Sequence, residues 1–250
     1  MDQNPGLKDF FESGFHKKYW PDIADDSGVR EFAQKILSLL EARNGHILDW
    51  RGGSGRFAIW FARWGFDVTL LDFMPSYLAE AKNLFGKEDL SVRLVEADSR
   101  YTPPDIQADY AVCLDNSVGF MSELEEIQAF QSLNNALRPK AKLLIDCMNL
   151  FFLSKPVAEG MQETQRDDGC TRLSEGHFDF KTSVWHKMFE LVKPDGSFVR
   201  KPFNQIMYTP QHLASMLENA GFKTERIYGD FEGNPISFDA RKIVLIASKD

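Results

Sequence analysis

Three aspartates, Asp49, Asp72 and Asp98, stand at or just beyond the ends of short apolar runs, and the first leads into the glycine-rich turn Gly52-Gly53-Ser54-Gly55. A carboxylate accepts hydrogen bonds and pairs with cations, and a backbone without side chains lets a ligand come close. The elements that must position these groups read as a strand–turn–helix–strand unit over His46–Phe73. Ile47-Leu48 enters a buried strand, Phe57–Ala62 makes an apolar helix face that Gly65 stops, and Val68–Leu71 forms a second buried strand. In an open α/β sheet ligands bind at the carboxyl ends of the strands, and an acid ending the second strand holds ribose hydroxyls. The chemistry implied is the binding of a nucleoside-bearing cofactor.

Gly53-Ser54-Gly55-Arg56-Phe57-Ala58 also matches the dinucleotide pattern G-x-G-x-x-[GA], with Asp72 at a suitable distance, so NAD is one reading. Three features oppose it. Asp49 puts a carboxylate where a pyrophosphate wants none, some forty-five residues precede the unit, and Asp98 adds a third acid after the next strand. A carboxylate beside the glycine turn suits a cationic ligand, and S-adenosylmethionine carries an ammonium and a sulfonium. The plain alternative is a unit whose glycines serve only tight packing.

Leu48-Asp49-Trp50-Arg51-Gly52-Gly53-Ser54-Gly55 resembles the L-D-x-G-x-G-x-G motif of the class I S-adenosylmethionine-dependent methyltransferases, in particular their small-molecule branch. The resemblance continues through Asp72, Ala97-Asp98-Ser99, Leu114–Phe120, Leu137–Asp146 and Leu217–Phe222, covering Tyr19 to Lys249. It implies a cofactor site made of Asp49, Arg51, Gly53, Gly55 and Arg56 at the turn, and Asp72 and Phe73 at the ribose. Ala97, Asp98, Ser99 and Leu114 are then expected around the adenine, with Asn116 facing the methyl group. Tyr19 is expected to fold over the cofactor, as an N-terminal aromatic segment does in related enzymes; otherwise Tyr19 and Trp20 pack on the cap. Two departures stand out. Lys140-Ala141 replaces a Gly-Gly turn, and Arg51 occupies a glycine position, where it either keeps an ordinary backbone with its side chain aside, pairs with Asp49, or reaches an anionic group.

A sulfonium is already an activated methyl donor, so catalysis reduces to in-line positioning and exclusion of water. Asn116, Tyr19, His177 and His186 are the candidate catalytic residues, and Trp185 and Arg241 the candidate contacts to the acceptor. His177 and His186 lie on predicted strands that turn them either to the site or to solvent, while His16, His46 and His212 read as structural.

The 250 residues, 43% hydrophobic, suffice for one large core or one core plus a cap. A net charge of −8 disfavours nonspecific nucleic-acid binding. Cys113, Cys147 and Cys170 have no metal spacing and read as reduced thiols, no metal is expected, and no apolar run approaches a membrane span. The polar Met1–Lys8 lacks a signal-peptide core, so the cytoplasm is the expected location.

The fold class expected is α/β: a Rossmann-like doubly wound sheet, mostly parallel with an antiparallel last strand, plus an antiparallel β cap inserted after the fifth strand. Residues 1–45 form a helical cover, 46–150 the cofactor-binding core, 151–208 the cap, and 209–250 the last helix and strands of one domain. Within the cap, Cys170–Phe180, Thr182–Val192 and Ser197–Tyr208 read as strands, the last two joined at Pro194–Ser197; Thr209-Pro210 opens a helix. Ser154–Tyr208 together with Met1–Asp26 enclose the acceptor and must open for product release, with the Gly160-containing loops and Pro194–Ser197 as the joints; a homodimer through these strands is the competing use. The function expected is methyl transfer to nitrogen or oxygen of a small molecule, the alternatives being a silent cofactor-binding protein and then an NAD-linked oxidoreductase.

Overall fold

The computed structural model describes residues 5–19, 26–153 and 162–250, the side chains at 5–8, 16, 17, 26 and 27 excepted. Trp20 and Gly160, and the side chain of His16, therefore lie outside the described residues.

Helices α1 (Pro5–Glu12), α2 (Phe15–Tyr19) and α3 (Asp26–Leu40) precede β1 (His46–Trp50). Strand and helix then alternate: α4 (Ala58–Arg63), β2 (Asp67–Asp72), α5 (Pro75–Gly86), β3 (Arg93–Glu96), β4 (Ala108–Cys113), α6 (Glu123–Asn135) and β5 (Leu137–Met148). After the short α7 (Leu150–Leu153) come β6 (Gln162–Gln165), β7 (Thr171–Asp179), β8 (Val184–Val192) and β9 (Phe198–Ile206), and the described chain ends in α8 (Pro210–Asn219), β10 (Phe222–Tyr228) and β11 (Lys242–Lys249).

Seven strands form one sheet in the order β10-β11-β5-β4-β1-β2-β3, parallel from β5 to β3, with β11 antiparallel to both β5 and β10. This is the Rossmann-like sheet with an antiparallel last strand that the alternating pattern implies. Apolar helix stripes cover both faces. Ile36 and Leu40 of α3, Phe61 of α4 and Leu78 and Phe85 of α5 pack on one side, and Phe130 and Leu133 of α6 and Leu213 and Leu217 of α8 on the other. With both faces covered, the strands carry continuous apolar runs such as Ile243–Ala247, all buried.

The order of strands reverses between β1 and β4, which opens a crevice at their carboxyl ends, where a doubly wound sheet binds ligands. Helix α6 starts just beyond that crevice with a capping box, Ser122 and Glu125 bonding each other's backbone N–H. At α8 the cap is one-sided: Thr209 Oγ1 accepts from His212 N at 3.1 Å.

The inserted strands form a second, antiparallel sheet, β6-β7-β8-β9. Three of them match the expected strands, and Asp195 ties the β8–β9 turn through Ser197 N at 2.9 Å. Strand β6 was not expected, because Gln-Glu-Thr-Gln is polar throughout and fully exposed, with no apolar alternation to read. Among the described residues no helix is long and apolar enough to cross a membrane.

Candidate active site

Asp49 is buried in the crevice, 1% exposed, and its Oδ2 has no hydrogen-bond partner among the described residues. Burial, then the charges of Asp115 and Asp72, push its pKa up to about 7 against the N–H of Ala58 and the charge of Arg56. A buried carboxylate with an unmet oxygen favours a cation that brings its own N–H donors. Asp72, at the end of β2, is 6% exposed; it accepts from Gly53 N through Oδ2 and from Met74 N through Oδ1, both at 2.9 Å. Burial raises its pKa, opposed by those N–H bonds. Each oxygen keeps a lone pair for a hydroxyl.

The glycine turn divides in two. A Cβ at Gly52 would stand 2.3 Å from Leu70 Cδ1, and one at Gly55 2.6 Å from Phe85 Cζ, so these two serve close packing. Gly53, at φ +58°, meets nothing nearer than Tyr77 Cδ2 at 3.8 Å and leaves room on the crevice side. Together, the orphaned Asp49 oxygen, the open Gly53 backbone and the part-free Asp72 carboxylate suit a ligand with an ammonium and a ribose, as S-adenosylmethionine has.

Arg51 corrects one expectation. Its φ is +62°, the left-handed conformation that explains a glycine preference there and costs a side chain about 1–2 kcal/mol. It pairs with neither Asp49 nor an open space. Its guanidinium reaches Glu126 Oε1 at 2.6 Å, the carbonyl of Ser117 at 2.7 Å and Ser99 Oγ at 3.1 Å, and lies over the Trp50 ring at 4.1 Å. Glu126 is fully buried. Arg51 thus clamps the crevice floor from below, joining the ends of β1 and β3 to the start of α6. Arg56 points outward, bonding Asp115 Oδ2 at 2.9 Å.

Ala97 hydrogen-bonds the Asp72 carbonyl, and Ser99 is buried, so the residues expected at the adenine lie close to Asp72 in the fold. Asp98 is less open than expected. Arg100 grips it through Nη2 at 2.7 Å and backbone N at 2.9 Å, holding its pKa below the usual range despite the opposing burial. Leu114 is buried at the end of β4 and Phe73 half-buried after β2.

Asp115 and Asn116 are both left-handed, at φ +59° and +61°. Two buried residues that sequence reasoning missed hold this strained loop. Asp146 Oδ1, at the end of β5, accepts from Asp115 N at 2.8 Å, its Oδ2 taking Lys242 Nζ at 2.6 Å. Gln205 of β9 takes Asn116 Nδ2 at 2.9 Å and donates to the Val118 carbonyl at 2.7 Å. Asn116 Oδ1 also accepts from Met148 N at 2.8 Å. The Asn116 amide is therefore engaged at both ends in tying the loop to β5 and β9, a positioning task in place of the expected approach to the methyl group.

The cover is aromatic. Phe10, Phe15 and Tyr19 pack with Phe189 and Leu191 of β8, and Phe11 reaches Tyr77 and Phe120 at 6.2 and 6.4 Å, bridging cap and crevice. Tyr19 is 4% exposed and donates to the Leu173 carbonyl at 2.9 Å, which is the alternative of packing on the cap, not over the cofactor edge. His177 and His186 are opposed in register and stacked at 4.9 Å, on the face of β7 and β8 opposite to Trp185 and Phe189. Trp185 and Phe189 face the protein, so both histidines lie on the other face of the sheet, which speaks against the catalytic part expected of them. Trp185 is buried with Phe178, Leu153 and Met207, and Arg241 lies over the Phe152 ring at 5.4 Å near the end of β5.

An open groove lined by Glu41, Asn44, Asp109, Arg138 and Lys142 lies at the other, amino-terminal edge of the strands and contains none of these residues.

Residues 47–140 match a family model described as a methyltransferase domain. YqeM of Bacillus subtilis, a candidate methyltransferase by name, is 24% identical over 208 residues, 82% of this chain and 84% of its own. Among solved structures, an S-adenosylmethionine-dependent methyltransferase from Clostridium acetobutylicum superposes with a TM-score of 0.80 at 14% identity, over 95% of this chain and 97% of that one. CalS10 from Micromonospora echinaspora, an amino pentose methyltransferase, does so with a TM-score of 0.69 at 17% identity, over 96% of each. At these identities the structural likenesses establish the fold.

Proposed function

We propose that this chain, a class I S-adenosylmethionine-dependent methyltransferase, methylates a nitrogen or oxygen atom of a small molecule held between the carboxyl edge of the parallel sheet and the inserted cap. The observation that carries the reading is the buried, part-unbonded Asp49 beside the open Gly53 and the ribose-ready Asp72, beneath an aromatic cover. The amino-sugar acceptor in the description of CalS10 agrees with a small molecule bearing an amine.

In this reading Asp49 holds the ammonium of the cofactor, Asp72 its ribose hydroxyls, and Ala97, Asp98, Ser99 and Leu114 surround its adenine. When bound, S-adenosylmethionine supplies a methyl group already activated by the sulfonium. The chain's own contribution is placement and dryness. Asp146, Gln205 and Asn116 hold the 114–121 loop in its strained form, and Phe11, Phe120 and Phe203 close an apolar wall above it. Holding a nucleophile in line at near-attack distance supplies several kcal/mol in a water-free enclosure. The pairing of Arg51 with buried Glu126 argues against a retired site, because it gives the arginine a structural task.

Transfer of a labelled methyl group from S-adenosylmethionine into pooled amino sugars and other small amines or phenols tests this directly. A labelled product supports it; binding of adenosylhomocysteine with no transfer to any pool would return the chain to the silent-binder reading. The inserted sheet with the N-terminal helices opens for product release in this scheme. Hydrogen exchange in β7–β9 and α1 should slow when adenosylhomocysteine binds, and exchange indifferent to ligand counts against the moving cap.

A further inference from the structure

The inner face of the inserted sheet holds two side-chain hydrogen-bond donors with no acceptor among the described residues. Register sets Trp185 and Lys187 of β8 on the face that also carries Phe189, Phe203 and Gln205, the face that meets α1 and the 114–121 loop. Trp185 is 2% exposed, yet its Nε1–H has no partner among the described residues. Lys187 runs between two rings, its Nζ 5.4 Å from the Trp185 centroid and 5.6 Å from that of Phe189. Its ammonium makes no hydrogen bond or ion pair with any described residue, and burial alone lowers its pKa.

Lys201, on the same face of β9, shows what an ordinary lysine does there: it pairs with Asp9 of α1. Gly176 lies opposite Lys187 in the ladder, and a Cβ there would stand 3.1 Å from Lys187 Cγ and 3.2 Å from Trp185 Nε1. A Cβ there would also meet the His186 carbonyl oxygen at 2.8 Å, so glycine is what lets both side chains lie close against β7. Ring faces offset only part of the cost of desolvating an ammonium, and a buried indole N–H without an acceptor adds to it. An arrangement that withholds both partners is economical only if a ligand brings them.

We propose that Lys187 and Trp185 form a subsite for an anionic group, a carboxylate or a phosphate, carried by the methyl acceptor. The anion answers the ammonium and accepts from the indole N–H, while Phe189 and Phe203 flank the attached carbon skeleton. This rests on the reading that the acceptor lies under the cap, and it narrows the acceptor from a small nucleophile to an anionic one.

Thermal unfolding of the protein saturated with adenosylhomocysteine provides the test, with methyl phosphate, propionate and neutral propanol as probes at constant ionic strength. One of the two anions should raise the melting temperature saturably, and propanol should not; which anion does so identifies the group. Lys187→Met, which keeps the apolar stem, should abolish that rise, and Trp185→Phe should weaken the anion severalfold. Without any probe, Lys187→Met should melt no lower than the parent, because it removes an unanswered ammonium, whereas a lysine with a structural role would melt lower on loss. No saturable rise with either anion, or an equal rise in Lys187→Met, overturns the subsite; Lys187→Gln repeats the comparison should the methionine variant fail to fold. The adenosylhomocysteine shift is read first in every sample. Its absence in the parent defeats the methyl-transfer reading itself, and its presence without an anion response defeats the subsite alone.

Discussion

At the carboxyl edge of the parallel sheet three aspartates, Asp49, Asp72 and Asp146, converge with no more than 6% exposure each, whereas the inserted sheet offers the same space rings and, unpaired among the described residues, one amine and one indole N–H. The edge is built of charges whose positions follow from the backbone, each acid standing where its strand ends. The cap is built of alternating side chains on a surface whose register decides which ones face inward. A cofactor common to many enzymes suits the first arrangement, and an acceptor particular to one enzyme suits the second. Substitutions at the edge should therefore alter stability and cofactor affinity, and those on the cap should act only when they fall on its inner face.

The largest effect belongs to Glu126. It is completely buried, while Arg51 retains 11% side-chain exposure, and removing one member of such a pair leaves the other charge uncompensated. Glu126→Ala should lose about 3–5 kcal/mol of stability. A shift of the urea midpoint at constant slope measures it, and Glu126→Gln, which can still accept from Arg51, should lose clearly less. Loss below about 1 kcal/mol in the alanine variant would mean that Arg51 finds another partner and is no clamp.

Arg51 and Glu126 also show where the sequence stops being readable. Asp49, Asp72 and the glycines are legible because strand, turn and helix are adjacent in the chain, and the alternating pattern gives the whole parallel sheet for the same reason. Glu126 looks like one more acid in the first turn of α6, suited to the helix dipole; its partner is 75 residues earlier. Gln205 and Asn116 are 89 apart and meet only because β9 lies across the loop after β4. The left-handed backbone of Arg51 cannot be read from an arginine codified by its neighbours alone. Likewise His177 and His186 sit on correctly expected strands, but their facing depends on the register between sheets.

Asp72 comes next. Asp72→Ala should weaken adenosylhomocysteine binding by about tenfold or more, from loss of charged hydrogen bonds to the ribose worth about 1.5–3 kcal/mol. Asp98→Asn should weaken it less, because Arg100 already occupies that carboxylate. Calorimetry on both variants gives the ranking, and an unchanged dissociation constant in Asp72→Ala removes the ribose assignment.

The pH dependence of cofactor binding follows at about the same size. Burial, with Asp115 and Asp72, pushes Asp49 up to about 7. Its folded pKa being above its unfolded one, the folded apo protein retains a proton that the unfolded chain releases. Apo stability should thus fall as pH rises from the ordinary carboxylate range to about 7 and level off above it. Binding of the ammonium wants the ionised form, so adenosylhomocysteine affinity should rise about tenfold between about pH 6 and about pH 8. Asp49→Asn should bind weakly and without that slope. An equal slope in the asparagine variant would assign the titration to another group.

The smallest effect tests the cap's two faces. His177 and His186 stack across β7 and β8 at an interplanar angle of 23°, and His186 Nδ1 meets Asn204 Oδ1 at 3.0 Å, all on the face turned away from Trp185. Such a cross-strand pair contributes roughly 0.2–1 kcal/mol to the sheet and nothing to the crevice. His177→Ala and His186→Ala should lose no more than that in stability, and their kcat/KM in methyl transfer should stay within about twofold of the parent. The measurement bears on more than two histidines. Parity along β8 locks His186 to one side and Trp185 and Lys187 to the other, so a histidine variant with normal cofactor affinity but turnover reduced more than about tenfold would turn the sheet over. The acceptor would then meet the histidine face, and the inner face assigned here to Lys187 and Trp185 would be the outer one.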